Sequence, residues 1–352
     1  MKTKQGSFFE KNRRSGGYLL KNRIKKGTVS VVRWLLVFGL CFMIIQPLLI
    51  RLSTAVMPEK DLYDSTIVLV PRNFTLDNFR IVFDLTGFPG SMLNSLWTSL
   101  LMAVCQVVSC TLVSYGFARY EFPLKKFWFG CVLATIIIPP QTYATSLHVF
   151  FTNFDIGYIV KLINGAFEGR APSLDLLLSG KGIIASITGK TVNLKLSALP
   201  YVFMSLTCTG LKNGLYIYIL MQYFKGVPKS LEEAAYVDGC GTLHTFTKIM
   251  LPDAVPVIVS CFLFAFVWQW TDLFYTRNFL SSMSIYSTQL STIVSRMSRY
   301  FSTNSQAVVV PVGRQQQLIS IAVVVCSTPL IIIYAFSQKL FVESIAVTGM
   351  KM

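Results

Sequence analysis

Charged residues are few in this sequence, and acidic residues are the scarcest of them. Only 14% of the 352 residues are charged, with 16 acids against 32 bases, whereas 53% are hydrophobic. Soluble domains carry about 25% charged residues, so the composition excludes an ordinary soluble protein. It indicates a protein that is embedded in a membrane.

Residues that bind metals or form disulfides are also few or badly placed. The chain has two histidines, His148 and His244, and no CxxC pair among its eight cysteines. Nearly all the cysteines lie in apolar stretches, so we expect them to be small buried hydrophobic residues. We predict no metal site and no catalytic residues. An intramembrane enzyme is the less favoured alternative, because it would need a buried Ser/His, Asp/Asp or metal constellation.

The net charge of +16 comes partly from one end of the chain. Residues 1–33 hold ten basic residues and a single acid, Glu10. A basic block directly before an apolar run is typical of a cytoplasmic flank that contacts anionic lipid. A nucleic-acid-binding arm is less favoured, because no aromatic residues are interleaved to form a stacking platform. We therefore predict contact with membrane lipid and none with nucleic acid.

Six apolar stretches are close to the 17–25 residues that a helix needs to cross a bilayer. They lie at 34–50, 92–118, 127–151, 199–224, 254–275 and 316–337. For the first, a signal peptide is the rival, since Ser53 and Ala55 resemble a cleavage site. The long basic leader and Pro47 favour a retained span. Six spans place both termini on one side, which the leader assigns to the cytoplasm.

The predicted fold is an all-α integral membrane protein with six transmembrane helices. Residues 1–33 form the basic cytoplasmic leader, 34–52 the first transmembrane helix and 53–90 an extracellular loop. Residues 91–338 form a core with five further spans, and residues 339–352 a cytoplasmic tail. An extracellular insertion at about 152–198 is either a small subdomain or a loosely ordered loop. Pro139-Pro140 is expected to interrupt the third span.

A polar loop at 227–252 separates two of the apolar stretches. Pro228 suits the first turn of a helix. Glu232 and Glu233 lie in the first turns after it, where the helix dipole favours negative charge. Asp238-Gly239 is a turn signal, and Leu251-Pro252 would end a second short helix. We predict a cytoplasmic helix–turn–helix, with an ordinary interfacial amphipathic helix as the alternative. Its candidate residues for contact with another protein are Glu232, Glu233, Ala234, Ala235, Asp238, Gly239, Leu251 and Pro252.

The spacing of these residues resembles the EAA loop of ABC importer permeases, with Cys240 where that family usually has alanine. The segments LDNFRIVF (76–83), LNSLWTSLLMAVCQVVSCTLVSYGFARYEFP (93–123) and WQWTDLFYTRNFL (268–280) are similar to the maltose-type, carbohydrate-importing branch. The tail QKLFVESIAVTGMK (338–351) resembles the end of that branch's smaller permease subunit. The longer basic leader and the enlarged loop at 152–198 depart from the family pattern.

This resemblance implies a type I ABC importer permease fold whose polar loop is a coupling helix, docked in a groove of a cytoplasmic ATPase. The implied partners are a second, different permease chain, two ATPase subunits and an extracytoplasmic substrate-binding protein. ATP and magnesium would be bound by the ATPase, because this chain has no GxxxxGK[ST] loop. The implied location is a bacterial plasma membrane, and the implied cargo is a carbohydrate, an oligosaccharide in particular. A permease for a non-sugar solute and a membrane scaffold without transport remain alternatives.

Polar and aromatic residues within the apolar stretches are the candidates for a substrate path. Phe264, Trp268, Asp272 and Tyr275 are predicted to share one helical face of the fifth span, since they follow one another at about i, i+4, i+8 and i+11. In the functional interpretation, the aromatic rings stack on a sugar and the carboxylate binds the sugar hydroxyls. The alternatives are that this face packs against a neighbouring helix or anchors the span at the membrane interface. Interhelical hydrogen bonds and a Lys212–Asp272 ion pair are further possibilities. The remaining candidates are Lys212, Asn213, Asn94 and Gln141.

Overall fold

The computed structural model describes residues 16–64, 66–67, 70–152, 197–305 and 310–350. Every regular element in these residues is a helix, which confirms the predicted all-α class. The first fifteen residues of the predicted leader, and residues 153–196 of the predicted insertion, lie outside the described residues.

The described helices of at least four residues, apart from the tight turns named below, are numbered in chain order. They are α1 (Tyr18–Val56), α2 (Asp77–Thr86), α3 (Gly90–Arg119), α4 (Lys125–Ile137), α5 (Ala144–Thr152), α6 (Leu199–Leu206), α7 (Asn213–Gly226), α8 (Lys229–Val237), α9 (Thr242–Thr245), α10 (Val255–Thr271), α11 (Phe274–Phe279), α12 (Tyr286–Ser291), α13 (Ile293–Ser305) and α14 (Val312–Met350).

Helix α1 contains both the described part of the leader and the first predicted span. It has 39 residues, and at 1.5 Å per residue it is about 58 Å long. The hydrocarbon core of a bilayer is about 30 Å thick, so the basic end of α1 extends well beyond the apolar part. The backbone has no break at the predicted boundary between residues 33 and 34, and the helix continues through Pro47.

The chain divides into two compact units, of which the first holds residues 1–79 and 311–324. Within this unit α1 and the start of α14 are joined by polar side chains. Arg51 donates from Nη1 to Ser320 Oγ over 3.0 Å, and Gln317 donates to the Met57 carbonyl. Arg314 Nε lies 3.8 Å from the Glu59 carboxylate. Polar contacts of this kind are expected between membrane helices, where no hydrophobic force drives association.

The second unit comprises residues 80–310 and 325–352 and contains the main core. Helix α3 packs against α6, α7 and α10. Fully buried side chains between these helices include Ala103, Cys110, Leu220, Phe224 and Phe266. A second buried cluster surrounds Phe151, Tyr201, Tyr275 and Phe279.

Three described helices, α1, α3 and α14, are each long and apolar enough to cross a membrane, over Leu20–Val56, Gly90–Arg119 and Val312–Lys339. A fourth crossing is possible where Thr242–Asp253 and Val255–Thr271 meet at a 74° bend. The predicted third span is broken after Ile137, as Pro139-Pro140 indicated. The predicted fourth span is broken between Leu206 and Asn213.

Other predicted boundaries differ from the structure. The segment predicted as an external loop at 53–90 includes the end of α1, a 3-10 turn at Glu59–Tyr63 and helix α2. The sixth span and the predicted tail form one helix, because α14 continues to Met350. Sequence hydropathy indicates where a helix is apolar but not where it ends, since polar residues with good helix propensity extend it into water.

Candidate functional site

A cavity of about 870 Å³ lies at the two broken spans of the second unit. Its walls come from the end of α4 with the turn that follows, the segment between α6 and α7, and the end of α10. The residues that line it are Cys131, Ala134, Thr135, Ile136, Ile137, Ile138, Pro139, Pro140, Gln141, Tyr143, Leu147, Cys208, Thr209, Gly210, Leu211, Lys212, Trp268, Thr271, Asp272, Leu273, Phe274 and Tyr275.

The first wall is shaped by two consecutive prolines. Proline cannot donate a backbone hydrogen bond and its ring clashes with the preceding turn, so α4 ends at Ile137. The freed carbonyl of Pro139 accepts hydrogen bonds from the backbone N–H and the hydroxyl of Thr142, over 3.1 and 2.8 Å. A short 3-10 turn, Pro140–Thr142, then leads into α5. Non-helical backbone is tolerated at membrane depth only where its polar groups are satisfied in this way.

The second wall is held open by polar side chains of α3. Gln106 donates from Nε2 to the Leu211 carbonyl over 3.2 Å, and Ser109 donates to the Ser205 carbonyl over 2.8 Å. The Leu211 carbonyl belongs to the segment between α6 and α7, and the Ser205 carbonyl to the last turn of α6. A Cβ atom at Gly210 would be 2.8 Å from Gln106 Nε2, so a side chain there would displace the amide that binds the Leu211 carbonyl.

A cation and an aromatic ring face each other inside the cavity. Lys212 Nζ lies 5.1 Å from the centroid of the Trp268 ring, within the range of a cation–π interaction. Lys212 is exposed, and Trp268 keeps 44% of its surface accessible. Tyr275 and Tyr143 add a pair of hydroxyls 3.1 Å apart on the same lining.

The carboxylate of Asp272 is hydrogen-bonded at the start of α11. Its Oδ2 accepts hydrogen bonds from the backbone N–H and the hydroxyl of Thr276, over 2.9 and 3.2 Å, at the start of α11. The Lys212–Asp272 ion pair considered above is not among the ion pairs of the described residues, in which the Lys212 ammonium lies over the Trp268 ring. A carboxylate at a helix start accepts free N–H groups, which satisfies it without a cation.

Five of the eight predicted path residues line the cavity and three do not. Gln141, Lys212, Trp268, Asp272 and Tyr275 are part of its wall. Asn94 instead donates to the Ser284 carbonyl over 3.1 Å. Asn213 is buried beside Ser205. Phe264 is 40% exposed and outside the cavity.

Phe264, Trp268, Asp272 and Tyr275 do not lie on one helical face, contrary to the prediction. Helix α10 ends at Thr271, and Asp272 has an extended backbone with ψ 132°. Asp272 and Tyr275 reach the cavity because the chain turns there into α11. Tyr143 and Thr209 were missed by sequence reasoning. A signal for Tyr143 was available, since it follows the Pro139-Pro140 break.

The polar loop between α7 and α10 has the predicted helix–turn–helix geometry. Helix α8 begins after Pro228 and ends at Val237. Gly239 follows with a positive φ of 81°, a conformation that favours glycine. Helix α9, a π-helical turn Phe246–Met250 and a short turn Leu251–Asp253 complete the loop.

The predicted contact residues of this loop divide into two groups. Glu232 and Ala235 are buried against the rest of the second unit, and Leu251 is half-buried. The exposed ones are Glu233, Ala234, Asp238, Gly239 and Pro252.

The Glu232 carboxylate forms an ion pair inside the chain. Arg119 Nε lies 3.1 Å from Glu232 Oε1, and Tyr115 donates its hydroxyl to the same oxygen over 3.1 Å. On the outer face of the loop, by contrast, apolar side chains are accessible: Val237 is 87% and Leu243 73% exposed. Partial desolvation, together with the nearby Tyr120 hydroxyl and Glu232 carboxylate, raises the pKa of Tyr236 above its ordinary value. The loop thus has an inward ionic anchor and an outward apolar and acidic face.

Potential metal ligands do not gather in the part of the chain that the structure describes. There, no group of three or more His, Cys, Asp or Glu side chains is close enough to hold a metal ion. All eight cysteines are free thiols.

Comparison with known proteins identifies the family to which the chain belongs. A family model described as "binding-protein-dependent transport system inner membrane component" matches residues 110–347. The arabinooligosaccharides transport system permease protein AraQ of Halalkalibacterium halodurans is 23% identical over 334 residues, 93% of this chain and 100% of that protein. The maltodextrin transport system permease protein MdxG of Bacillus subtilis is 24% identical over 322 residues, 92% of this chain and 96% of that protein.

A solved structure has the same fold. The crystal structure of a bacterial ABC transporter involved in the import of the acidic polysaccharide alginate contains a chain that aligns with a TM-score of 0.61 at 16% identity. The alignment covers 90% of this chain and 98% of that one. The fold is therefore that of an ABC importer permease. Because the family model matches more than half of the sequence, the chain belongs to the inner membrane components of binding-protein-dependent transport systems.

Proposed function

We propose that the chain is one permease subunit of an ATP-driven ABC importer for a carbohydrate, an oligosaccharide in particular. It forms half of the translocation path and docks a cytoplasmic ATPase through the polar loop. The observation that carries this proposal is the division of that loop into a buried anchor at Glu232 and an accessible face at Glu233 and Val237.

The accessible face of the loop suits a protein partner. Leu231, Tyr236, Val237 and Leu243 are large hydrophobic residues that are each more than 40% exposed. Apolar side chains surrounded by polar residues are typical of protein–protein contact sites. Glu233 adds a charge for an ion pair, and exposed Ala234 lets a partner backbone approach closely.

The energy for transport comes from the partner. A second permease, different from this one, completes the path, two ATPase subunits bind ATP and magnesium, and an extracytoplasmic binding protein delivers the substrate. Closure of the ATPase pair moves the docked loops as rigid bodies. Because the chain bends by 74° between the loop and α10, a rigid-body movement of the loop would change the orientation of α10.

The proposed topology has six crossings in a bacterial plasma membrane, with both termini in the cytoplasm. In this arrangement α4 with α5, and α6 with α7, each form one interrupted crossing. The breaks of both crossings line the cavity. Interrupted helices around a central site are a recurrent design of membrane transporters.

The carbohydrate assignment rests on relatives and on the cavity. Two relatives that align with nearly the whole chain are named for arabinooligosaccharide and maltodextrin transport. The cavity offers an indole face at Trp268 and hydroxyl groups at Tyr143, Tyr275 and Thr271. At about 870 Å³ it lies within the range of about 300–1,000 Å³ for small-molecule sites.

Purification of the tagged chain from its native membranes in mild detergent tests this function. We expect a second permease and an ATPase to co-purify, and ATP hydrolysis that a carbohydrate-loaded binding protein stimulates. Glu233→Ala should lower the amount of ATPase that co-purifies. Glu121→Ala is the matched control, because Glu121 is an exposed acid outside the loop, paired with Lys125 over 2.9 Å. A chain that elutes alone, or hydrolysis that no carbohydrate stimulates, would overturn the proposal.

A further inference from the structure

We infer that Lys212 makes the cavity a binding site for carbohydrates that carry a carboxylate, that is, for oligosaccharides of uronic acids. This inference rests on the proposed function and names the substrate class of the same site. Its basis is the pairing, inside the cavity, of the accessible Lys212 ammonium group with the Trp268 ring, while the acid of the lining, Asp272, is hydrogen-bonded to Thr276.

The position of Lys212 is costly for a lysine. Its backbone has a φ of 62°, in the left-handed region that residues with a side chain rarely adopt. It also stands directly before the first residue of α7, where the helix dipole disfavours a cation. Two local penalties at one residue indicate that the side chain is kept for something other than stability.

The ammonium group supplies the selectivity of the site. The first N–H groups of α7 are mostly bonded within the chain, that of Asn213 to the Gly210 carbonyl over 3.4 Å and that of Leu215 to the Lys212 carbonyl over 3.0 Å. An anionic group beside Lys212 would gain a charge-assisted hydrogen bond from the ammonium, whereas a neutral hydroxyl would gain much less.

The negative charge of Asp272 does not cancel this preference. Its carboxylate is buried and accepts two hydrogen bonds from Thr276. Lys212 and Asp272 are not among the ion pairs of the described residues. A ligand that enters the cavity therefore meets the exposed cation and not the acid.

Trp268 supplies the other half of the site. Its ring is partly accessible and lies beside the ammonium group. One uronic-acid residue can place its ring against the indole and its carboxylate on Lys212. A carboxylate would then replace the aromatic ring as the partner of the cation.

The test compares uronic-acid oligosaccharides with their methyl esters, which have the same shape without the charge. The complete importer is reconstituted in proteoliposomes with saturating binding protein. Trimers of galacturonate, mannuronate and glucuronate are each supplied as acid and as ester. We expect the wild type to transport at least one acid faster than its ester. Lys212→Met should lower the acid-to-ester ratio of transport rates by about 10- to 100-fold, as for loss of a charge-assisted hydrogen bond.

Two further variants separate selectivity from folding. Lys212→Arg should keep the ratio, because the charge is retained. Lys225→Met should leave it unchanged: Lys225 also lies over an aromatic ring, 5.8 Å from that of Phe129, but outside the cavity. An unchanged ratio in Lys212→Met would overturn the inference. So would a wild type that transports neutral oligosaccharides but none of the acids, and the proposed function would survive that result. Failure to transport any carbohydrate would contradict the proposed function itself.

Discussion

Arg119 Nε, at the end of α3, lies 3.1 Å from Glu232 Oε1 in α8, and the two side chains are only 5% and 10% exposed. The same arginine donates from Nη2 to the Val227 carbonyl over 2.9 Å, at the start of the loop. Tyr115 donates to Glu232 and packs against Phe246 with ring centroids 4.7 Å apart. The polar loop is thus fixed to α3 by a buried ionic and aromatic contact. We expect movement of the loop to be passed to α3 through it.

Glu232→Gln should weaken this connection. It keeps the shape of the side chain but leaves the Arg119 cation buried without its counter-charge, and loss of one member of a buried pair costs about 3–5 kcal/mol of stability. We expect a lower melting temperature in detergent and fewer substrate molecules transported per ATP in the reconstituted complex. Both are measured on the same preparation.

The Glu121–Lys125 pair provides the control for this variant. Its carboxylate side chain is 89% exposed, and exposed pairs contribute at most about 1 kcal/mol. Glu121→Gln should therefore change neither quantity. If Glu232→Gln behaves like the wild type in both measurements, the buried pair does not connect the loop to α3.

Gly239 should tolerate a residue that accepts a positive φ and reject one that does not. Its φ is 81°, and a Cβ atom there would meet nothing within 4 Å, so within this chain the restriction is conformational and not steric. Asn adopts this backbone region more readily than β-branched residues. We expect Gly239→Asn to retain most ATPase stimulation and Gly239→Val to lose it. Gly241→Ala is the control, since Gly241 has a φ of −73° and is equally open.

Equal loss of stimulation in Gly239→Asn and Gly239→Val would mean that added volume is the cause. In that case the partner surface, and not the turn, restricts residue 239. Binding of the ATPase in a pull-down separates a loop that no longer docks from one that docks without transmitting movement.

Among the glycines that the structure describes, Gly214 should be the least tolerant of a side chain. A Cβ atom on it would contact the Thr135 hydroxyl and lie 2.7 Å from the Val132 carbonyl, which is backbone of α4 and cannot rotate away. Overpacking of this kind costs about 1–3 kcal/mol. We expect Gly214→Ala to lower the melting temperature. Gly116→Ala, in α3 with nothing within 4 Å of the new atom, should be neutral or stabilising by up to about 1 kcal/mol. Similar effects of the two variants would contradict the close packing of α4 and α7.

Sequence patterns predicted the helical class, the break at Pro139-Pro140 and the turn at Gly239, because hydropathy, proline and glycine act locally. They failed for Asp272, whose place depends on the end of α10 and on hydrogen bonds to Thr276. They also grouped Glu232 with Glu233, although adjacent residues on a helix point in directions about 100° apart. Only the presence of Arg119, more than a hundred residues away, decides which acid is turned inward. Contacts of that range leave no periodic signal in one sequence.

Cys208 should be accessible from the cavity while Cys261 is not. Cys208 is half-buried and lines the cavity, whereas Cys261 is fully buried in the core between helices. In chains that keep one cysteine each, we expect a water-soluble maleimide to label Cys208 in native membranes. Cys261 should react only after denaturation. A bulky adduct on Cys208 should also reduce transport, because it occupies volume in the cavity. Failure of Cys208 to react, or full transport by the labelled protein, would mean that the cavity is not part of the path.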